Sequence, residues 1–517
     1  MSLPLDLLMF AGLIVAILIG YPVSFTLAGV ATIFALLGWA TGQFDMSLLG
    51  ALGQRVFGLL TNDVLIAIPL FVFMGVVLEK SRIAEELLET MGRLFGGLRG
   101  GLGISVVLVG ALLAASTGIV GATVVAMGLI ALPTMLRNGY DPKLASGIVC
   151  TSGTLGQIIP PSTLLIILSD VMSNAYQQAQ FEQGKFTVET ISVGQVFAAA
   201  LLPGLMLVGV YIVYLLVKAW VNPAAAPALK ELAEAPSRAE IARAVLPPIF
   251  LIVAVLGSIL GGIATPGEAA SVGAVGALLL AGAKMNGRST KVFIAGAAAL
   301  GLLAVVAGIS PIRLQRGDAG LGSWVLGAFA TLLVLIAFYA VAKALRQAAA
   351  KDILKPVMTS TMTVTAMIFA TILTASVFSL VFRGLGGDHR IEDILSAMPG
   401  GPQGALLFVM ALIFVLGFFL DFVEISVIVL PLVAPVLILM GHDPVWLSML
   451  IAINLQTSFL TPPFGFSLFY LRGAAPEEVT TGMIYRGVMP FIVLQVVGMI
   501  LLWFLPQVAT TLPKLLY

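Results

Sequence analysis

The chain has 517 residues, of which 60% are hydrophobic and 10% charged, with a net charge of +1 and a mean hydropathy of +1.10. Soluble proteins carry roughly 25% charged residues, so no water-exposed fold hides this much apolar surface and the solvent is lipid. The charge balance excludes the basic footprint of a nucleic-acid binder; one cysteine, Cys150, excludes an intramolecular disulfide; and His389 and His442, isolated in polar connections, argue against a zinc site.

In chain order, the first twenty residues lack a positively charged n-region and a cleavage site, and are expected as a retained span rather than a signal peptide. Apolar stretches of spanning length follow at Val23–Ala40, Val64–Leu78, Gly103–Leu136, Lys143–Leu168, Val193–Trp220, Val245–Ile263 and Ala269–Ala283. Others are Val292–Gly308, Leu321–Ala342, Val357–Phe382, Ala405–Met440, Val445–Leu471 and Val488–Leu505. About a dozen or more helical spans are predicted; a barrel would instead show ten-residue alternation. Short charged connections such as Glu79–Arg93 join them. Three polar segments are expected outside the membrane: Ser169–Ser192, the Ala/Pro-rich linker Asn222–Arg243, and a turn at Arg313–Asp318.

The chain repeats itself. Pro133, Gly139, Asp141, Pro142, Pro160 and Pro161 recur as Pro435, Gly441, Asp443, Pro444, Pro462 and Pro463, all at one offset of 302 without a gap. Each copy has an interrupted apolar hairpin, a Gly-x-Asp-Pro turn, and a helix broken by a polar patch and Pro-Pro. The patches are Thr151–Gln157 and Asn454–Ser458. Proline removes a donor and clashes with the preceding turn, so each Pro-Pro is expected to unwind its helix. Unwound backbone at membrane depth is tolerated only against protein or a wet cavity, and paired broken helices in two repeats mark a transporter's midplane site.

The hairpin tips supply the other half of that site. The first, Ala115–Thr123, offers Ser116 and Thr117 hydroxyls among small residues. The second, Gly417–Glu424, carries two acids that the first copy lacks. Intramembrane acids are functional candidates by default. Asp421 can equally cap the helix that follows, with Glu424 completing an acidic first turn. Thr265-Pro266-Gly267-Glu268 spells a capping box, so its role is expected to be structural. Asn62 and Asp63 are expected to start a helix in the same way.

At these residues the chain resembles the large membrane subunit of tripartite ATP-independent periplasmic (TRAP) transporters, the DctM-like permeases. The carrying segments are Ala67–Phe71, Ser116–Gly121, Gly153–Pro161, Ala264–Ala270 and Asn454–Gly465. The last looks like the branch labelled mannitol/chloroaromatic-type. The resemblance implies an all-α polytopic inner-membrane protein with an inverted-repeat, elevator-type ion-transporter fold containing two re-entrant hairpins and two broken helices. It implies sodium-coupled uptake of a small organic anion, with a carboxylate expected. It also implies a small four-helix DctQ-like membrane partner and a DctP-like periplasmic binding protein.

Carried over by position, sodium would be held by Ser116, Gly118, Ser152 and Gly153 in the first half and by Asp421, Asn454 and Thr457 in the second. Substrate would lie near Thr154, Pro161, Gln456, Thr461 and Pro463. The expected organisation is a first half over 1–221, with hairpin 103–136 and broken helix 143–168, then a polar linker over 222–244. Scaffold helices over 245–283 and an inserted pair of spans over 284–351 follow, then a second half over 352–517 with hairpin 405–440 and broken helix 445–471. The inserted pair departs from the family pattern, and Glu424 stands where the family commonly has a small residue or proline.

Three other readings differ in what they require. A stand-alone sodium- or proton-coupled carboxylate carrier shares the broken-helix repeats and lacks the family segments. A membrane-embedded enzyme needs a nucleophile–base pair or metal ligands, and no H-E-x-x-H or Gly-x-Ser-x-Gly motif occurs. An anion channel needs rings of charge. No phosphate-binding Gly-x-x-x-x-Gly-Lys-Ser/Thr loop is present, which excludes ATP-driven transport by this chain alone.

Overall fold

A backbone in lipid must satisfy its own polar groups, and the described residues of this chain do so mainly with helices. The structure, a computed structural model, describes residues 4–117, 120–229, 236–286, 290–309 and 321–517, and the side chains of all of these except 114–117, 286, 307–309 and 321. Among the described residues eight helices are long and apolar enough to cross a membrane, and two further pairs, Met46–Leu60 with Asp63–Lys80 and Phe422–Ile428 with Leu430–Leu439, are bent by 52° and 58°. This is fewer than the dozen or more spans predicted. The apolar stretches of the hairpins and broken helices divide into pieces such as Gly401–Leu416 and Pro444–Leu460, each shorter than the about 20 residues a span needs.

The repeat is reproduced in atomic detail. The first hairpin is Gly101–Thr117 and Val120–Arg137, and the second is Gly401–Leu416 and the bent pair Phe422–Ile428 and Leu430–Leu439. Both end in a left-handed glycine, Gly139 at φ +82° and Gly441 at φ +98°. The amides of Gly139 and Tyr140 donate to Leu136 and Met135, and those of Gly441 and His442 donate to Ile438 and Leu437. These are the two bonds of a Schellman turn, made at identical offsets. Asp141 and Asp443 then cap the next helices through the amides of Lys143 (2.9 Å) and Val445 (2.9 Å). The bend in the second hairpin falls where Pro431 stands, against Leu129 in the straight first copy.

The halves are interlocked. Val120–Arg137 packs on Phe466–Ala474, while its counterpart at +302, Phe422–Leu439, packs on Thr163–Glu182. Each hairpin therefore covers the broken helix of the other half. Pro142–Thr154 in turn packs against Thr481–Phe504 so closely that a side chain on Gly147 would overlap the Gly487 carbonyl. Small residues allow this kind of approach between membrane helices.

Several connections are more helical than expected. Glu79–Arg93 contains the amphipathic helix Ile83–Phe95, which buries Ile83, Leu87, Leu88 and Met91. Ser169–Glu182 continues the helix begun at Thr163, because Ala175, Ala179 and Gln180 on this polar stretch face the interior. The linker ends earlier than its composition suggests, since Ser237 and Glu240 form a capping box that opens Arg238–Leu260. The expected turn at Arg313–Asp318 lies outside the described residues.

Thr265 and Glu268 do form the expected capping box, with Thr265 N–H donating to Glu268 at 2.8 Å, and Asn62 caps Asp63–Lys80 through the Val64 amide at 2.9 Å. Residues 284–351 contribute Lys291–Ile309 and Leu321–Ala350. With Pro266–Asn286 these build a small separate core of Leu278, Leu279, Phe293, Ala340 and Ala344, where Gly282 and Gly296 admit the neighbouring helices.

Candidate substrate and ion site

The two broken helices end against each other. Pro142–Thr154 tightens into a 3-10 turn at Leu155–Gln157 and resumes only at Thr163; Pro444–Leu460 stops before Thr461 and resumes at Phe466. Both Pro-Pro bonds, Pro160–Pro161 and Pro462–Pro463, are cis. Gln456 Nε2 donates to Thr154 Oγ1 at 3.4 Å, and these residues are separated by 302, the offset of the repeat. The packing is reciprocal as well: Val120–Arg137 meets Phe466–Ala474 while their counterparts, Phe422–Leu439 and Thr163–Glu182, meet each other. A residue meeting its own counterpart, together with reciprocal packing, marks a pseudo-twofold relation between the copies, as an inverted repeat has.

The side chains here have used their protons locally. Ser152 donates to the Ile148 carbonyl at 2.6 Å, Thr154 to Thr151 at 2.9 Å, Thr457 to Ile453 at 2.7 Å and Thr461 to Thr457 at 2.7 Å. Asn454 Nδ2 donates to Met410 in the second hairpin at 2.8 Å, and Ser458 to Phe414 at 2.6 Å. What these groups leave is oxygen lone pairs, the ligand type a bare cation takes. Thr151 Oγ1, both polar atoms of Gln157, Ser426 Oγ and Gln456 Oε1 are buried with no hydrogen-bond partner in the protein. Buried polar groups are normally paired, so Thr151 and Gln157, on the broken helix within three residues of Thr154, and Gln456 opposite it call for a ligand or ordered water.

The expected site residues are partly assembled. Thr154, Gln456, Ser152, Asn454 and Thr457 are buried at the paired helix ends. Gly153 lies where the first broken helix meets Val124 of the first hairpin, close enough that a Cβ would overlap that side chain. Ser116 and Gly118 fall outside the residues described at side-chain level. Asp421 is an N-cap: its carboxylate accepts the Phe422 amide at 2.7 Å while Glu424 accepts the Asp421 amide at 2.9 Å, completing a capping box. The capping role expected for both acids is therefore observed.

The two Pro-Pro breaks differ in exposure. Pro161 is buried, whereas Thr461 is half-buried and Pro463 exposed, its carbonyl accepting Tyr485 OH at 2.7 Å. One position on, Ser162 is 0% exposed and its counterpart Phe464 is 57% exposed. The first break is buried inside the protein and the second lies at its surface.

Sequence reasoning missed Tyr470 and Ser426. The Tyr470 ring sits against Gly121, where a Cβ would stand 2.8 Å from it, and within Coulombic reach of Asp421 and Glu424, so one side chain connects the two hairpin tips. Their counterparts at the 302 offset, Leu168 and Val124, are apolar, and nothing in the local pattern marks them. Gln157 and Thr151 were inside the quoted polar patch, and their burial is what singles them out. Among the described residues no group of three or more His, Cys, Asp or Glu could hold a metal ion; the oxygens at the break are neutral hydroxyls and amides.

Inverted broken helices with interlocked hairpins define a polytopic membrane permease of the secondary-transporter class. The family model for the tripartite ATP-independent periplasmic transporter, DctM component, matches residues 10–312 and 297–508, and the chain belongs to that family. It is thus a multi-pass protein of the bacterial inner membrane, one component of a three-part assembly.

Among its relatives, the C4-dicarboxylate TRAP transporter large permease protein DctM of Vibrio cholerae is 28% identical, covering 98% of this chain and 97% of that one. The ectoine TRAP transporter large permease protein TeaC of Halomonas elongata is 25% identical over 99% of each. In fold, the chain is similar to the crystal structure of the Alcanivorax borkumensis YdaH transporter, with a TM-score of 0.57 and 14% identity over 97% of this chain and 98% of that one.

Proposed function

We propose that this chain is the translocating subunit of a sodium-coupled TRAP transporter that takes up a small organic acid by an elevator movement and performs no covalent chemistry. The observation that carries the reading is the contact of Gln456 with Thr154 at the paired helix ends, surrounded by buried polar atoms without protein partners. The unequal exposure of the two Pro-Pro breaks supports alternating access, because a pseudo-symmetric site open on one side can exchange its open and closed halves.

In this reading Thr154, Pro161, Gln456, Thr461 and Pro463 surround the substrate. Ser116, Gly118, Ser152 and Gly153 offer one sodium site, and Asp421, Asn454 and Thr457 a second, each made of one hairpin tip and one broken helix. Sodium suits these oxygens, neutral except for the Asp421 carboxylate, and requires no cluster of acids or histidines. The hairpins and broken helices form the moving unit, and the remaining helices form the scaffold, which a small DctQ-like membrane subunit extends. A DctP-like periplasmic binding protein delivers the substrate. The relatives' names span C4-dicarboxylates and ectoine, both carboxylate-bearing, which supports a carboxylate as the substrate.

Uptake into proteoliposomes tests this, using the purified chain with its small subunit and binding protein. Uptake that requires all three proteins and an inward sodium gradient is expected. Sodium-dependent uptake by this chain alone would move it to the stand-alone carboxylate carriers; uptake indifferent to sodium would remove the ion sites.

A further inference from the structure

A second polar site lies about a dozen ångströms along the helix that resumes at Thr163, at about 1.5 Å per residue from Ser162 to Asp170. It is a cavity of about 260 Å³, near the small end of ligand pockets at roughly 300–1,000 Å³. Two helices meet across it. From Leu354–Gly384 come Ile372, Ser376, Ser379 and Arg383, at helical spacing on one face; from Thr163–Glu182 come Asp170, Asn174 and Gln178, likewise in register. Arg55, on Leu52–Leu60, closes a third side, and Pro431 of the second hairpin a fourth. A polar stripe on a membrane helix is costly unless it faces a wet or liganded space.

The charges in this cavity do not balance. Arg55 and Arg383 both line it, and among the described residues neither forms an ion pair. Arg383 donates through Nη2 to Gln178 Oε1 at 3.1 Å and to the Pro431 carbonyl at 2.9 Å, both neutral, and its buried Nε has no partner. The one carboxylate present, Asp170, accepts Asn62 Nδ2 at 2.8 Å instead. Two half-buried guanidiniums sharing a space repel each other, at a cost that grows as the surroundings dry. An anion held by both removes that cost, and the planar guanidinium fork matches a carboxylate in two-point geometry.

We propose that this cavity is a second carboxylate-binding site, in which Arg55 and Arg383 hold the carboxylate of a small organic acid away from the paired helix ends. The proposal rests on the reading of this chain as a carboxylate transporter. Its walls are shared between the elements assigned to the moving unit, Gln178 and Pro431, and those assigned to the scaffold, Arg55 and Arg383. The cavity thus exists in one relative position of the two and captures the acid there. Asn174, which is exposed, opens it to the surface.

Labelling with phenylglyoxal, an arginine-directed reagent, on the full chain in detergent tests the proposal when the modified peptides are quantified by mass spectrometry. Sodium succinate, sodium phosphate and sodium chloride are compared at matched ionic strength. Succinate, at about ten times its dissociation constant, is expected to slow labelling of both Arg55 and Arg383 about tenfold relative to chloride, as occupancy of the site dictates. Labelling of Arg82, whose side chain is 80% exposed, is expected to stay unchanged. The protection is expected to persist in a Thr154→Val, Gln456→Leu double variant.

Equal rates in succinate and chloride, protection by phosphate alone, or loss of protection in that double variant would each overturn the site. Thermal unfolding, measured in parallel, covers the case in which neither arginine reacts: succinate should raise the midpoint of the Thr154→Val, Gln456→Leu variant and not that of the same variant carrying Arg55→Gln and Arg383→Gln as well. Identical shifts in the two overturn the proposal. Protection without proteoliposome uptake of any carboxylate would leave this site standing and sink the transport reading; uptake without protection does the reverse.

Discussion

At the scale of single residues, Asp421 shows how one side chain serves two ends. Its carboxylate caps Phe422–Ile428 while its own amide is held by Glu424. Removing a cap costs about 1 kcal/mol, whereas asparagine caps about as well as aspartate. Asp421→Asn is therefore expected to keep the thermal midpoint of the native chain and Asp421→Ala to lower it, while both weaken the sodium dependence of uptake if the carboxylate is also an ion ligand. The check is a pair of sodium titrations in proteoliposomes beside melting curves. Unchanged half-saturation for sodium in both variants would leave capping as the only role of Asp421.

At the scale of elements, the close contact of Pro142–Thr154 with Thr481–Phe504 depends on two glycines facing each other. A Cβ on Gly147 meets the Gly487 carbonyl, a backbone atom that cannot rotate away. Gly147→Ala is expected to cost about 1–3 kcal/mol, as overpacked cores do, and to lower the melting temperature; Gly209→Ala, where nothing lies within 4 Å, should not. The same elements show what the sequence carries and what it leaves out. Gly139, Asp141 and Pro142 with their copies announce the turn and the start of each broken helix, because left-handed glycine, an Asx cap and proline at the first helical turn are local requirements. The capping boxes at Thr265 and Asp421 are local in the same sense. Helical continuity through Ser169–Glu182 is not local: it is decided by what Ala175 and Ala179 are buried against, and the polar composition conceals it. Arg55, Asp170 and Arg383 stand far apart in sequence, and only the packing of three helices turns them into one cavity. The proposed sodium and substrate residues came from the repeat and the family resemblance; the unpaired Thr151, Gln157 and Ser426 came from burial alone.

At the scale of the whole molecule, the pseudo-twofold through Thr154 and Gln456 makes a statement about motion. Ser162 and Phe464 are counterparts at the 302 offset, yet one is 0% and the other 57% exposed. If transport exchanges the open and closed halves, their exposures must change in opposite senses and on opposite sides of the membrane. The single cysteine is convenient here. Cys150 is fully buried, and burial pairs small apolar replacements well with such a site, so Cys150→Ala gives a background free of thiols. In it, Phe464→Cys is expected to react with a membrane-impermeant maleimide added to one side of sealed vesicles and Ser162→Cys with the same reagent added to the other. Substrate in a sodium gradient should raise one rate while lowering the other. The two variants are made and assayed separately, so a loss of folding in one shows as absent uptake and not as a false asymmetry. Reaction of both thiols from the same side, with rates that rise and fall together, would mean that the inequivalence of the two breaks is a fixed property of the fold. The pseudo-symmetry would then be a relic of duplication, and alternating access would have to arise from a gate elsewhere.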